Sequence, residues 1–203
     1  MRGSDNSDWV RVYGDDAFII KAFIYSRKYA PKGCKLFIND YNEYIPAKTN
    51  DIYNMAMKLK EQGIIDGIGM QSHLDVSYPS LSIYKTAFEK FISTGLEIQI
   101  TEFDITTDND SSPQIELFKD IFQLFVDNAD KISSVTFWNT NNYNWRRNNP
   151  LLFDYAFRPK EGFYVILEIA KAASTQKDDK KKFTNDESKE DIKNPEFTPM
   201  SHY

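Results

Sequence analysis

The chain has 203 residues, 41% hydrophobic and 15% aromatic, with a formal net charge of −5 and a pI near 5.1; this is enough apolar chain for one sizeable core. The acidic balance argues against nucleic-acid binding, and the basic run Lys180-Lys181-Lys182 is flanked by acids that leave it solvated. No apolar stretch reaches the ~18 residues of a membrane span, the N-terminus lacks the apolar region of a secretory signal, and the single Cys34 has no internal disulfide partner.

After a polar entry, Phe18, Ile19, Ala22, Phe23 and Tyr25 recur near a helical period, predicting a helix over 15–29 that Pro31 and Gly33 stop. Residues 35–42 read as a short buried strand. A helix follows over 51–62, with Ile52, Met55, Ala56 and Leu59 on one side and Gly63 closing it. Residues 68–74 form the next strand, Pro79 opens a helix to about Thr94, and a strand runs from Glu97 to Ile105. Pro113 precedes a helix through Leu117, Ile121, Leu124 and Phe125; residues 132–138 are a strand, an aromatic loop follows, and a last helix spans 162–173.

Strand, loop and helix thus repeat at intervals of about 30 to 35 residues, the rhythm of a parallel α/β sheet built from βαβ units. In such folds the site lies at the carboxyl ends of the strands. From about Ser174 the composition turns polar and charged, so residues 1–173 are read as the folded domain and 174–203 as a flexible tail.

Strict alternation along Ile98-Gln-Ile-Thr-Glu-Phe-Asp-Ile105 puts Glu102 and Asp104 on one face with Ile98 and Ile100, an expensive position for carboxylates unless they are paired or used in chemistry. The other predicted strands also end in polar groups: Asn39 and Asn42, Gln71 and His73, and Trp138 followed by Asn139. Together they describe a polar cleft with an aromatic wall, a surface that suits sugars. Glu102 has the makings of a nucleophile or general base with His73 holding it ionised and Asp104 orienting His73; the alternative is a satisfied polar pair in a core. Trp138, Tyr143 and Trp145, with Arg146 and Arg147, are candidates to stack on and hydrogen-bond a saccharide, or simply to cap the mouth of the fold. His73 and His202 are the two histidines, and no HxH or HExxH spacing occurs, so no metal and no cofactor are expected.

These stretches resemble the endo-β-1,4-xylanases of glycoside hydrolase family 10: Leu36-Phe-Ile-Asn-Asp-Tyr-Asn42, Gly67-Ile-Gly-Met-Gln-Ser-His-Leu74, Ile100-Thr-Glu-Phe-Asp-Ile105, Val135-Thr-Phe-Trp138, Pro150-Leu-Leu-Phe-Asp154 and Arg158-Pro-Lys160. The resemblance covers roughly residues 9 to 173 in matching order. It implies a (β/α)8 TIM barrel that cleaves xylan with retention through a covalent glycosyl-enzyme. Glu102 is then the nucleophile, His73 and Asp104 its hydrogen-bonded support, and Gln71 a neighbour of the acid/base carboxylate. Asn39 and Asn42 become cleft residues, and Trp138 and Trp145 wall the subsites for the non-reducing part of the substrate. It also implies an extracellular or periplasmic location.

Two departures stand out. The loop from Trp138 to Trp145 is shorter than the family pattern and carries Asn139-Thr-Asn-Asn142 where a Gly-Val-Thr-Asp-like run is usual. The Trp-Asp-Val-Val-Asn-Glu-like motif that holds the acid/base glutamate is absent; Glu43, beside Asn42, reads as an exposed loop carboxylate rather than a substitute.

A full barrel needs eight strands in ~250 residues, and four predicted strands leave two open edges and an inner face, assigned to Phe37, Ile68, Ile98 and Ile100, in need of cover. The expectation is the C-terminal half of a barrel whose N-terminal half is supplied by a separate chain or another part of the same protein. The isolated half is expected to be inactive. Other readings are a non-catalytic carbohydrate-binding remnant of the same fold and a retaining β-glucanase.

Overall fold

The computed structural model describes residues 7–108, 110–141 and 148–190, with side chains as far as residue 175. In chain order the elements are α1 (Asp8–Tyr13), α2 (Ala17–Tyr29), β1 (Phe37–Asp40), α3 (Pro46–Glu61), β2 (Gly67–Met70), β3 (His73–Asp75), α4 (Leu81–Ile92), β4 (Glu97–Thr106), α5 (Ser112–Asp127), β5 (Ile132–Phe137) and α6 (Glu161–Glu190). The predicted alternation is present. Its boundaries differ where local chemistry overrides periodicity.

The polar entry contains a short helix, α1, in which no residue is buried and so no apolar stripe announces it. Helix α3 begins at Pro46, earlier than its apolar spacing suggests. Proline suits a first helical turn because that turn has no use for its missing N–H, and the Thr49 hydroxyl donates to the carbonyls of Glu43 (2.6 Å) and Ile45 (3.0 Å). The predicted strand over 68–74 is divided into β2 and β3 by Ser72, whose φ of 59° no strand can contain. The last helix runs past Ala173 to Glu190.

Among the described residues the named strands all pair in parallel. Residues Phe37–Asp40 of β1 lie against Gly67–Met70 of β2, which lie against Glu97–Ile100 of β4. Strand β3 continues the line of β2 and pairs with the far end of β4, His73 opposite Asp104. Strand β5 runs along the other side of β4. Four strand positions therefore follow one another in chain order, with the helices packed on one side.

Which side they cover differs from the alternation-based assignment. The paired row Ile38, Ile68, Ile98 is buried at 8%, 0% and 0% exposure, and Met70 and Ile100 are equally enclosed. These side chains form the core with α3, α4 and α5. The opposite face carries Phe37, Asn39, Gly67, Gly69, Gln99 and Thr101. Ile68, Ile98 and Ile100 thus belong to the helix-covered layer, and Phe37 alone of the predicted inner-face residues lies on the other side.

Strand β4 changes its own pattern partway along. Its pairing with β5 shifts between Ile100 and Phe103, where β4 spends three steps against two from Val135 to Phe137. An extra residue of this kind puts two consecutive side chains on one face. Phe103 points into the helix layer, its ring 5.6 Å from Phe118, 5.4 Å from Phe125 and 5.4 Å from Phe137. Glu102 accordingly joins Thr101 and Asn39, not Ile98 and Ile100.

Beyond β5 the chain returns to β4. The N–H of Ile105 donates to the carbonyl of Pro150 (3.1 Å), and that of Thr107 to Asn148 (2.9 Å). Lys160 Nζ donates to the carbonyls of Asn149 (2.8 Å) and Leu151 (2.7 Å), and Gln114 Nε2 to Asn149 (2.7 Å), so this return is fastened from α5 and from the residue preceding α6.

Candidate active site

Glu102, His73 and Asp104 meet at the carboxyl ends of β4 and the β2–β3 line. His73 Nδ1 is 3.0 Å from Asp104 Oδ2, and His73 Nε2 is 3.3 Å from Glu102 Oε2. The Asp104 side chain is fully buried and that of Glu102 is 14% exposed, so one carboxylate is structural in placement while the other still reaches solvent. His73 thus presents one ring nitrogen to each carboxylate, and a ring N–H there donates to the oxygen it faces.

The second oxygen of Glu102 is held from β1. Asn39 Nδ2 donates to Glu102 Oε1 (3.3 Å), while the Thr101 hydroxyl donates to Asn39 Oδ1 (2.7 Å). Because Thr101 occupies the amide oxygen, the Asn39 amino group is the one turned toward Glu102. Gly69 makes this possible: a Cβ there would lie 2.6 Å from Asn39 Oδ1. Neither Thr101 nor Gly69 was singled out by sequence reasoning, although a glycine inside a strand pattern is a signal of close approach.

The remaining predicted site residues are placed as follows. Asn42 ends the β1 segment in a left-handed conformation (φ 53°), its amide oxygen accepting from the Tyr44 hydroxyl at 3.2 Å. Gln71 lies in the link between β2 and β3, its N–H donating to the Asp40 carbonyl at 3.2 Å. Trp138 follows β5, 40% exposed, with its N–H 3.4 Å from the Phe103 carbonyl. Trp145, like Tyr143, Arg146 and Arg147, lies outside the described residues. Among the described residues no group of three or more His, Cys, Asp or Glu side chains is arranged to hold a metal ion.

Glu43 overturns its sequence reading. It is not an exposed loop carboxylate but has 0% exposure. Its Oε1 accepts from the Ser72 N–H and the Ser72 hydroxyl, both at 3.0 Å, and Ser72 Oγ is 2.7 Å from the Tyr84 hydroxyl. Burial pushes its carboxyl up to about 7, against the pull of those hydrogen bonds. The sequence offered no sign of this, because the burying partners come from β2–β3 and α4.

A carboxylate presented at the carboxyl ends of parallel strands, gripped by an imidazole and an amide, sits at the edge where a (β/α)8 barrel carries its site. Residues 2–169 match the model of glycosyl hydrolase family 10. The chain belongs to that family.

Among its relatives, it is 58% identical over 173 residues to the bifunctional endo-1,4-β-xylanase XylA of Ruminococcus flavefaciens, covering 84% of this chain and 18% of that protein. It is 36% identical over 196 residues to endo-1,4-β-xylanase A of Halalkalibacterium halodurans, covering 82% and 49%. Exoglucanase XynX of Acetivibrio thermocellus is 38% identical over 177 residues, covering 82% and 16%. The solved xylanase 10B of Clostridium thermocellum, with its CBM22-1 and GH10 modules complexed with xylohexaose, superposes with a TM-score of 0.76 at 39% identity, covering 81% of this chain and 35% of that one. The chain spans about half the length, or less, of the relatives it matches.

Proposed function

We propose that this chain is the C-terminal half of a retaining endo-β-1,4-xylanase and that Glu102 is its nucleophile. The observation that carries the reading is the Glu102 carboxylate held by His73 Nε2 on one oxygen and by Asn39 Nδ2 on the other. This grip fixes the carboxylate's approach to an anomeric carbon.

In the first step Glu102 forms a bond to the anomeric carbon of a xylosyl unit as the glycosidic C–O bond breaks, and the departing oxygen takes a proton. In the second, water attacks that carbon, gives up its proton, and releases Glu102 as carboxylate. Both proton transfers need a second carboxyl about 5 to 5.5 Å from the nucleophile. We assign it to the N-terminal half of the barrel, supplied by a separate chain or another part of the same protein.

His73 and Asp104 support the nucleophile, Asn39 orients it, and Asn42 and Gln71 line the cleft. Trp138, with Trp145, supplies aromatic faces for the sugars. Likeness to the xylanases supports xylan as substrate; likeness to the exoglucanase keeps a β-1,4-glucan as the second reading. Because such polymers do not cross membranes, the reading carries an extracellular or periplasmic site of action. Among the described residues no helix is long and apolar enough to cross a membrane.

The test is covalent trapping. With the N-terminal half supplied, a 2-deoxy-2-fluoroxyloside with a good leaving group should add one glycosyl mass to the peptide containing Glu102, and E102Q should remain unlabelled. The chain alone should hydrolyse little or no xylan. Labelling at another residue, or ordinary hydrolysis by the chain alone, overturns the assignment, and comparison of xylo- with cello-oligosaccharides decides the substrate.

A further inference from the structure

Behind His73 lies a buried group that the reaction as described does not use. The link between β2 and β3 must turn at Ser72, whose φ of 59° is a conformation that a non-glycine residue rarely adopts. Several backbone groups around this turn are held. Gln71 N–H donates to the Asp40 carbonyl (3.2 Å), Asp104 N–H to the Ser72 carbonyl (3.3 Å), and the Tyr44 hydroxyl to the His73 carbonyl (3.0 Å).

The remaining donors, the Ser72 N–H and hydroxyl, both go to Glu43 Oε1, with the Tyr84 hydroxyl 2.7 Å from the same Ser72 oxygen. Glu43, Ser72 and Tyr84 are each wholly buried, so water does not offer a substitute partner. Glu43 Oε2 has no hydrogen-bond partner among the described residues. A carboxyl buried with one oxygen doubly used and the other idle is costly to keep for packing alone.

We infer that Glu43 is a positioning residue for the Glu102–His73 pair, holding Ser72 in the left-handed turn that aims the imidazole at the nucleophile. The inference rests on the assignment of Glu102 above. Without the Glu43 oxygen, a serine at this position relaxes toward negative φ, and the strand line carrying His73 swings with it. His73 Nε2 then leaves Glu102. Small displacements of this kind cost rate rather than affinity.

Glycine adopts the same turn unaided, which supplies the test. In the barrel completed by its N-terminal half, E43L should lower kcat about tenfold or more with KM changed by less than about threefold. E43Q, which keeps an oxygen for both Ser72 donors, should retain most of kcat. Adding S72G to E43L should restore it. S72A alone should lower kcat while S72G alone does not, a comparison that leaves Glu43 untouched if E43L fails to fold.

Wild-type kcat in both E43L and S72A, or no difference between S72A and S72G, overturns the inference. So does a folded E43L/S72G no better than E43L. Fluoroxyloside labelling distinguishes the two levels of failure. If Glu102 still labels, only the positioning role falls; if Glu102 of the wild-type barrel does not label, both fall.

Discussion

The buried carboxyl of Glu43 makes stability depend on pH in a direction opposite to most acidic side chains. Its environment raises it from an ordinary 4.5 to about 7, chiefly because burial penalises the charged form. The folded state therefore holds a proton that the unfolded state has released between these two values. Stability contributed by neutral Glu43 is complete below about pH 4.5, declines as pH rises, and is lost above about pH 7. At about 1.4 kcal/mol per tenfold change in proton affinity, the full excursion is about 3 kcal/mol. E43Q is a neutral isostere that keeps the Ser72 contacts and cannot ionise. Urea unfolding of wild type and E43Q across about pH 4.5 to 8 should show the variant gaining on the wild type by up to this amount, nearly all of it before pH 8. Parallel pH profiles for the two proteins would refute the account, and a wild type that gains relative to E43Q would reverse its sign.

Two further outcomes follow from particular contacts. G69A places a methyl 2.6 Å from Asn39 Oδ1 and should cost about 1 to 3 kcal/mol in denaturant unfolding, most of it recovered when N39A removes the obstructing side chain; an equal cost in the N39A background would show that the strain lies elsewhere. Lys160, pushed down to about 8 chiefly by burial, binds a proton less tightly folded than unfolded, so stability should rise with pH between about 8 and 10.5, and K160M should remove that rise. Below pH 8, K160M should also lose about 1 to 2 kcal/mol through the carbonyls of Asn149 and Leu151, read by the same unfolding measurement.

Periodicity alone identified the helices whose apolar stripes are strong: Ile52, Met55, Ala56 and Leu59 mark α3, and Ile121 and Phe125 mark α5, as the buried positions show. Spacing of strand and helix signals likewise defined a parallel α/β sheet. The polar strand ends assign Glu102, His73 and Asp104 to one edge, since parallel strands deliver their carboxyl ends there, and in the structure the three side chains are in contact. Short-range pattern does not carry the rest. Alternation presumes an unbroken ladder, and the extra residue between Ile100 and Phe103 is set by how β4 pairs with β5, so the face of Glu102 was decided by a neighbouring strand. Glu43 was misjudged for a similar reason: its partner Ser72 lies 29 residues away, and loop composition says nothing about what the loop folds against.

Residue types and their order thus determined the kind of sheet and the side chains available for chemistry. Only the packed arrangement decided which face each occupies and which carboxyl is enclosed, because burial and strand register are properties of contacts between segments distant along the chain.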